Sequence, residues 1–354
     1  MPELRRDPIT RDWVIIASER ARRPSDFASH GLGREHQEAD DCPFCPGHES
    51  MTPPEILAFR DPGSQRNSPG WWVRVVPNKF PALAVEGDLN KTGIGLYDRM
   101  NGVGAHEVIV ETPEHGKQLA FLDDRQIEDV LWAYRARYLD LKKDPRLKYI
   151  LIFRNHGRVA GASLSHPHSQ LVATPMLPGN IAVEMEGYQR YEQYRDRCVY
   201  CDMVRQEVEE GKRVVIDNDF FIAFAPYASK YPFEMWIMPK RHVASFAALL
   251  AEEQTALAAT LGETLRRVHA CLNDPPYNFN IHTAPCDADD REDFHWHLEL
   301  FPRLTIAAGF EMGTGIYINV TPPEMAAEYL READLTAPSA VPQGTGVPAK
   351  KSGD

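Results

Sequence analysis

An α+β fold assembled from two copies of one unit is the class this sequence predicts, and three observations carry it. The first is an internal repeat. C-P-F-C (42–45), W-W-V-R-V-V-P-N-K-F-P (71–81), H-E-V-I-V-E-T-P-E-H (106–115), Y-I-L-I-F-R-N-H-G (149–157) and H-P-H-S-Q-L-V-A-T-P (166–175) stand in that order. Five matching segments then follow in the same order. They are C-V-Y-C (198–201), F-F-I-A-F-A-P-Y-A-S-K-Y-P (220–232), F-E-M-W-I-M-P-K-R-H (233–242), Y-N-F-N-I-H-T-A-P (277–285) and H-W-H-L-E-L-F-P-R-L (295–304). The second observation is a helical stretch at the same place in each copy, 122–143 and 249–272. The third is that V-I-V, I-L-I-F, W-I-M and L-E-L are short β-branched or aromatic-rich runs, the composition of strands.

In the first copy, 71–81 and 106–115 read as two strands. Ile127, Val130, Leu131, Tyr134, Tyr138 and Leu141 then recur at helical spacing, and two more strands close the unit at 149–157 and 166–175. Leu257, Leu261, Leu265, Val268 and Leu272 mark the corresponding helix of the second copy. Strand, strand, helix, strand, strand gives an antiparallel sheet in each unit. Residues 46–70 are rich in Pro, Gly and Ser and read as an inserted loop. The expected division is 1–177 for the first half, 178–335 for the second and 336–354 for a tail too poor in apolar residues to bury a core.

The chain has 354 residues, 43% hydrophobic and 25% charged, which suits a globular protein with a large core. A net charge of −12 leaves no extended basic face for nucleic acid, though a small phosphate ligand needs only a few donors. No run reaches the roughly 20 apolar residues of a membrane span, and M-P-E-L-R-R-D-P lacks a secretory h-region. A cytoplasmic protein is therefore expected. In that compartment the six cysteines do not read as a disulfide framework. Cys271 and Cys286 stand alone and receive no role.

The other four cysteines form two C-x-x-C pairs, each followed by two histidines at matching places. Cys42, Cys45, His115 and His166 make one set; Cys198, Cys201, His242 and His295 make the other. Two thiolates and two imidazoles are the tetrahedral donor set zinc prefers, and four protein ligands leave no open position. Two structural zinc ions are expected. Unligated cysteines beside core histidines would explain the duplicated order poorly.

The segment G-A-S-L-S-H-P-H-S-Q-L-V-A (161–173) adds a second histidine to the first set. With His166 on the metal, alternation through Pro167 returns His168 to the same face. A neutral imidazole whose other nitrogen is held as a donor is a good nucleophile toward phosphorus. Asn155, Gly157, Gly161 and Ser163 supply small residues, amide donors and a hydroxyl for a phosphate. Gln170 can donate to a phosphoryl oxygen without acting as a base toward water. From the residues alone, a nucleophilic histidine and a pair of packed strand histidines both remain open. The second H-x-H places Glu299 where the first has Gln170, and a carboxylate there repels phosphate. His297 is accordingly read as structural or as a contributor to the neighbouring metal set.

H-P-H-S-Q with upstream N-x-G and G-x-S resembles the galactose-1-phosphate uridylyltransferase family, the transferase branch of the histidine-triad superfamily. R-D-P-I-T-R-D-W-V-I-I-A-S-E-R-A-R-R-P near the start, V-P-N-K-F-P-A-L and G-F-E-M (309–312) extend the likeness over residues 3–332. The resemblance implies two histidine-triad-like halves, antiparallel sheets with helices packed on one side, and a homodimer with active sites completed by the partner. It implies that His168 takes a uridylyl group from UDP-glucose and passes it to galactose 1-phosphate in a ping-pong reaction. Gln170 and Ser163 then serve the phosphoryl oxygens, Asn78, Asn155 and Gly161 line the nucleotide and phosphate pocket, and Arg20 and Arg23 reach the nucleotide across the dimer. Bacterial members carry an iron site of one Glu and three His in the second half, and the resemblance sets the second cysteine group in its place. Together with G-F-E-M-G-T-G-I-Y-I-N (309–319), that cysteine group is similar to a plant ADP-glucose phosphorylase branch. Thr305 stands where uridylyltransferases have a phosphate-binding lysine, and Lys79 where they have an acid.

Overall fold

The computed structural model describes residues 1–27, 39–287 and 294–336, and turns the repeated segments into repeated elements. The expected tail lies, but for Thr336, outside the described residues. In chain order the strands and helices begin with β1 (Glu3–Arg6), β2 (Trp13–Ile16), α1 (Pro24–Phe27), β3 (Leu57–Arg60) and β4 (Trp71–Pro77). Next come β5 (Thr92–Ile94), β6 (Tyr97–Arg99), β7 (Ala105–Val110), α2 (Asp124–Leu141), β8 (Tyr149–His156) and β9 (His168–Thr174). The second copy opens with α3 (Gly179–Arg195) and α4 (Val199–Glu210), then β10 (Val214–Asp217), β11 (Phe221–Phe224) and β12 (Met235–Pro239). It continues with α5 (Ala251–Leu272), β13 (Tyr277–His282), β14 (His297–Pro302), α6 (Gly309–Thr314), β15 (Tyr317–Asn319) and α7 (Pro323–Arg331).

The expected helices form where their apolar stripes run. The Asp123 carboxylate caps α2 by accepting the Gln126 N–H at 2.8 Å, and Asn273 ends α5 in the left-handed region with φ 55°. The stripe residues of both helices join one core with Val75, Ile109, Ile152, Leu171, Ile237, Phe279, Ile281 and Leu298 from the sheet. Burying a Leu, Ile or Val side chain there is worth about 1.5–3 kcal/mol each.

The two sheets are one. Its ten strands run β10-β11-β12-β14-β13-β8-β9-β7-β4-β3, every pair antiparallel, and the halves meet where Tyr277–Ile281 lies beside His156–Ile152. Read from each edge inward, both halves have the same order of strands. That seam places Asn278 of the second copy directly opposite Asn155 of the first.

Three features differ from the sequence-based expectation. The 46–70 insertion is not all loop: Leu57–Arg60 forms the edge strand β3, with Leu57 opposite Val75. Pro53, Pro54, Pro62 and Gly63 bracket that strand rather than fill it. Helices α3 and α4 were not marked, because α3 carries a short and largely polar stripe. They cover the other face of the second half, where Tyr188, Tyr200 and Val204 pack with Ile222, Phe224, Trp236 and Met238. The N-terminal strands, counted by sequence order with the first half, lie against the second. β2 pairs in parallel with β15, Arg5 meets Glu324 at 2.8 Å and Lys230 meets Asp12 at 2.8 Å. Among the described residues no helix is long and apolar enough to cross a membrane.

Candidate active site and metal centres

Both cysteine–histidine sets come together. Cys42 Sγ lies 3.5 Å from His166 Nδ1, and Cys45 Sγ lies 3.3 Å from His115 Nδ1 and 3.6 Å from His166 Nδ1. In the second set Cys201 Sγ is 3.4 Å from His242 Nδ1 and 3.6 Å from His295 Nδ1, with Cys198 Sγ 3.9 Å from His295 Nδ1. Bonds of about 2.3 Å to sulfur and 2.0–2.1 Å to nitrogen at a tetrahedral angle put S and N about 3.6 Å apart, so both sets fit zinc. The outer ring nitrogens agree: His166 Nε2 donates to the Thr112 carbonyl at 2.8 Å and His295 Nε2 to the Pro239 carbonyl at 2.9 Å. That leaves Nδ1 of each ring as the ligand atom. Burial holds His166 neutral, its pKa pulled down to about 4.

His168 opens β9 one residue past Pro167, buried under the Phe44 ring at a centroid distance of 5.3 Å. Its Nδ1–H donates to the His166 carbonyl at 2.7 Å, which leaves the lone pair on Nε2. Burial lowers its pKa, keeping the imidazole neutral. This is the state a nucleophile needs. Gln170 follows on the same face, opposite Val108 of β7 and Phe153 of β8. Its Oε1 lies 2.8 Å from Nε2 of His106, a residue to which the sequence assigned no role. Asn78, just past β4, brings Nδ2 to 3.1 Å from the same ring nitrogen. Strand alternation was legible along β7, but nothing in the sequence said that His106 would sit diagonal to Gln170.

Behind His168, on the helix side, Ser169 is buried between Glu111, to which it donates, and the Tyr134 hydroxyl. Arg154 reaches the same carboxylate with Nε at 3.0 Å and the Tyr277 hydroxyl with Nη1 at 2.7 Å. The Glu111 N–H also donates to the Pro167 carbonyl at 3.2 Å, so this charged pair backs the H-P-H turn itself. Glu111 and Arg154 are almost wholly buried, and removing one leaves the other unpaired. Glu111→Ala is therefore expected to cost about 3–5 kcal/mol of stability. Urea unfolding checks this; a loss under about 1 kcal/mol contradicts it.

Asn155 is oriented from the second half. Asn278 Nδ2 donates to Asn155 Oδ1 at 2.8 Å and to the Ala160 carbonyl at 2.7 Å, which turns the Asn155 NH2 outward. Gly161 has φ 93° and Gly157 φ 79°, and a Cβ on Gly157 would fall 2.9 Å from Pro276, so the turn requires glycine there. Ser163 is exposed beside this turn. Arg20 and Arg23 are exposed on the segment after β2, and neither side chain bonds the residues around His168 among the described residues.

A third donor group went unread in the sequence. Glu184 of α3, His282 of β13, and His297 and Glu299 of β14 bring one ligand atom each within 4.8 Å of one another, all buried. His297, which the sequence left as structural or as a contributor to the neighbouring metal set, belongs to this group, and the structure holds both donor groups rather than one in place of the other. Its Nδ1–H donates to the His295 carbonyl at 3.0 Å, while its buried Nε2 lacks a hydrogen-bond partner among the described residues and lies 3.7 Å from Glu299 and 3.9 Å from Glu184. An orphaned imidazole nitrogen facing two carboxylates fits a divalent cation. The group lies at a cavity of about 590 Å³ that Lys230, Glu234, Trp236, Asn280 and Arg303 also line. Burial alone would lower the His282 pKa, but Glu184 and Glu299 outweigh it and raise it to about 9. Loading a divalent ion at about pH 7.5 is therefore expected to release about one proton from His282. Calorimetric titration in buffers of different ionisation enthalpy measures it, and zero released protons contradicts the assignment.

The fold is a duplicated α+β chain with Cys–His groups placed to hold metal, and the family it matches is one of nucleotidyltransferases. The galactose-1-phosphate uridyl transferase N-terminal domain matches residues 1–178 and its C-terminal domain residues 184–337, and the chain belongs to this family. It is 38% identical over 340 residues to an ADP-glucose phosphorylase of Arabidopsis thaliana, covering 95% of this chain and 94% of that one. A galactose-1-phosphate uridylyltransferase of Thermotoga maritima is 29% identical over 345 residues, 95% of this chain and 99% of that one. The crystal structure of the Arabidopsis ADP-glucose phosphorylase with bound ADP-glucose superposes with a TM-score of 0.80 at 35% identity, over 95% of this chain and 100% of that one.

Proposed function

We propose that the chain exchanges UMP between UDP-glucose and galactose 1-phosphate through a uridylyl group carried on His168. The observation that carries this reading is the His168 ring itself: kept neutral by burial, with Nδ1–H tied to the His166 carbonyl and Nε2 without a hydrogen-bond partner among the described residues. Nε2 attacks the α-phosphorus of the nucleotide sugar as the bond to the departing hexose 1-phosphate oxygen breaks. In the second half-reaction an oxygen of the acceptor phosphate attacks the same phosphorus and the N–P bond breaks. Gln170, Asn155 and Ser163 donate to the phosphoryl oxygens, Gly161 lets the backbone approach, and Asn78 lines the nucleotide side. Arg20 and Arg23 are exposed and serve the site of the partner in a homodimer. The halves 1–177 and 178–335 divide the work: the first reacts, and the second carries Glu299 where Gln170 would be. Zinc held by Cys42, Cys45, His115 and His166 cross-braces the sheet and fixes the strand carrying His168. The second cysteine set does the same for β14.

A second reading is ADP-glucose phosphorolysis, with inorganic phosphate as acceptor. It is supported by the 38% identity to the plant phosphorylase against 29% to the Thermotoga uridylyltransferase. Release of labelled glucose 1-phosphate from UDP-glucose or ADP-glucose, with galactose 1-phosphate or phosphate as acceptor, separates the two. Activity only with the pair ADP-glucose and phosphate would replace the first reading by the second.

A further inference from the structure

We infer that His106 is a positioning residue that holds the Gln170 carboxamide with its NH2 group, not its oxygen, toward the phosphoryl group on His168. This rests on the proposed reaction at His168. Three side chains meet at His106, and each could be turned: the imidazole has two tautomers and the two amides two orientations. One contact has no such freedom. The backbone N–H of Ala82, 3.3 Å from His106 Nδ1, is always a donor. This contact favours a lone pair on Nδ1 and the proton on Nε2.

The rest follows in sequence. A protonated Nε2 at 2.8 Å from the Gln170 side chain requires an acceptor there, so Oε1 faces the ring. The Gln170 NH2 group is left on the other side of the amide plane, free to donate. Asn78 turns its amide nitrogen, not its oxygen, to the ring, because its Oδ1 receives the Phe80 N–H at 2.9 Å. Its Nδ2, 3.1 Å from Nε2, is a donor that pulls toward a lone pair there, against the shorter 2.8 Å contact to Gln170 Oε1 and the Ala82 N–H, which both place the proton on Nε2. Turned the other way, Gln170 would aim an amide oxygen at an anionic phosphoryl group, replacing a charge-assisted hydrogen bond by repulsion.

The duplication supplies an independent sign. Val108 stands opposite Gln170, and Trp236 stands opposite Glu299 in the second copy. Two residues earlier on the same faces are His106 and Glu234. Where the glutamine is lost, the histidine is lost with it, and a buried acid takes each place. The two residues act as a pair.

Substitution at 106 distinguishes positioning from packing. An asparagine there can keep an acceptor near the Ala82 N–H but cannot reach Gln170; a glutamine can place an NH2 where Nε2–H sits. His106→Ala and His106→Asn are expected to slow nucleotidyl-enzyme formation about 10- to 100-fold, with the KM for the nucleotide sugar and the Tm little changed. His106→Gln should recover most of the rate. On a Gln170→Ala background, His106→Ala should add nothing. Full activity in His106→Ala, or an undiminished effect without Gln170, would overturn the inference. Nitrogen-15 NMR of the imidazole tests it apart from the reaction: Nε2 protonated is expected, and Nδ1 protonated contradicts it. If the wild-type protein forms no nucleotidyl adduct, the proposed reaction fails, while the tautomer still decides the role of His106.

Discussion

His168→Gly is expected to abolish nucleotidyl transfer, with a fall on the order of 10,000-fold or more, while the metal content and the unfolding transition stay near wild type. The proposed nucleophile is one nitrogen, Nε2, and among the described residues the immediate surroundings supply no second one. His166 Nδ1 faces the cysteines, and its Nε2 is tied to the Thr112 carbonyl. His106 has its proton on the nitrogen facing Gln170. Among the described residues the side chain of His168 makes one hydrogen bond, to a carbonyl two residues away, so its loss opens a small space under Phe44 and leaves the strand paired. Steady-state rates and metal analysis of the purified variant check both halves of the statement. Transfer at even a tenth of the wild-type rate would remove His168 from the chemistry.

The second large effect concerns the cysteine set beside that strand. Cys45→Ser removes a ligand that lies within 3.6 Å of both His115 Nδ1 and His166 Nδ1. The expected result is loss of one metal equivalent and a Tm lower by roughly 10 °C, from about 3 kcal/mol at 2–4 °C per kcal/mol. Transfer should fall as well, because His166 anchors the turn that orients His168. Cys201→Ser provides the contrast. It should also lose one equivalent and stability, yet retain adduct formation, because the second set neighbours His297 and not His168. Elemental analysis with calorimetry reads the first outcome. Unchanged metal content in Cys45→Ser would show that the set is not a metal site.

Much of this arrangement was legible in the residues because the chain repeats itself. Two C-x-x-C pairs with histidines at matching places pointed to two metal sets, and the structure brings both together. The apolar stripes from Ile127 to Leu141 and from Leu257 to Leu272 marked the two helices that bury the sheet. What stayed hidden depends on which strands are neighbours. His106 and Asn278 touch Gln170 and Asn155 only because β7 lies beside β9 and β13 beside β8. Strand order is a property of the whole sheet and leaves no mark on a single strand. Glu184 was hidden for a related reason: α3 is largely polar, and its carboxylate gains meaning only when His282 and His297 converge on it. The edge strand β3 was concealed by the prolines that flank it.

The duplication also explains the division between the halves. Both H-x-H pairs send the first ring to a cysteine set and tie the second ring, through Nδ1–H, to the carbonyl of the first. Beyond that point they part. In the first half Gln170 follows the second ring on the same face of its strand; in the second half Nε2 of that ring faces Glu184 and Glu299. One environment suits an anionic phosphoryl group and the other a cation.

The most direct test of the central claim is intact-mass analysis after brief exposure of the protein to UDP-glucose or ADP-glucose, without an acceptor. The account predicts a single nucleotidyl adduct, uridylyl or adenylyl according to the true donor, that maps to His168, is labile to acid and disappears when the acceptor is added. Transfer that proceeds with neither donor leaving an adduct on His168 would contradict it.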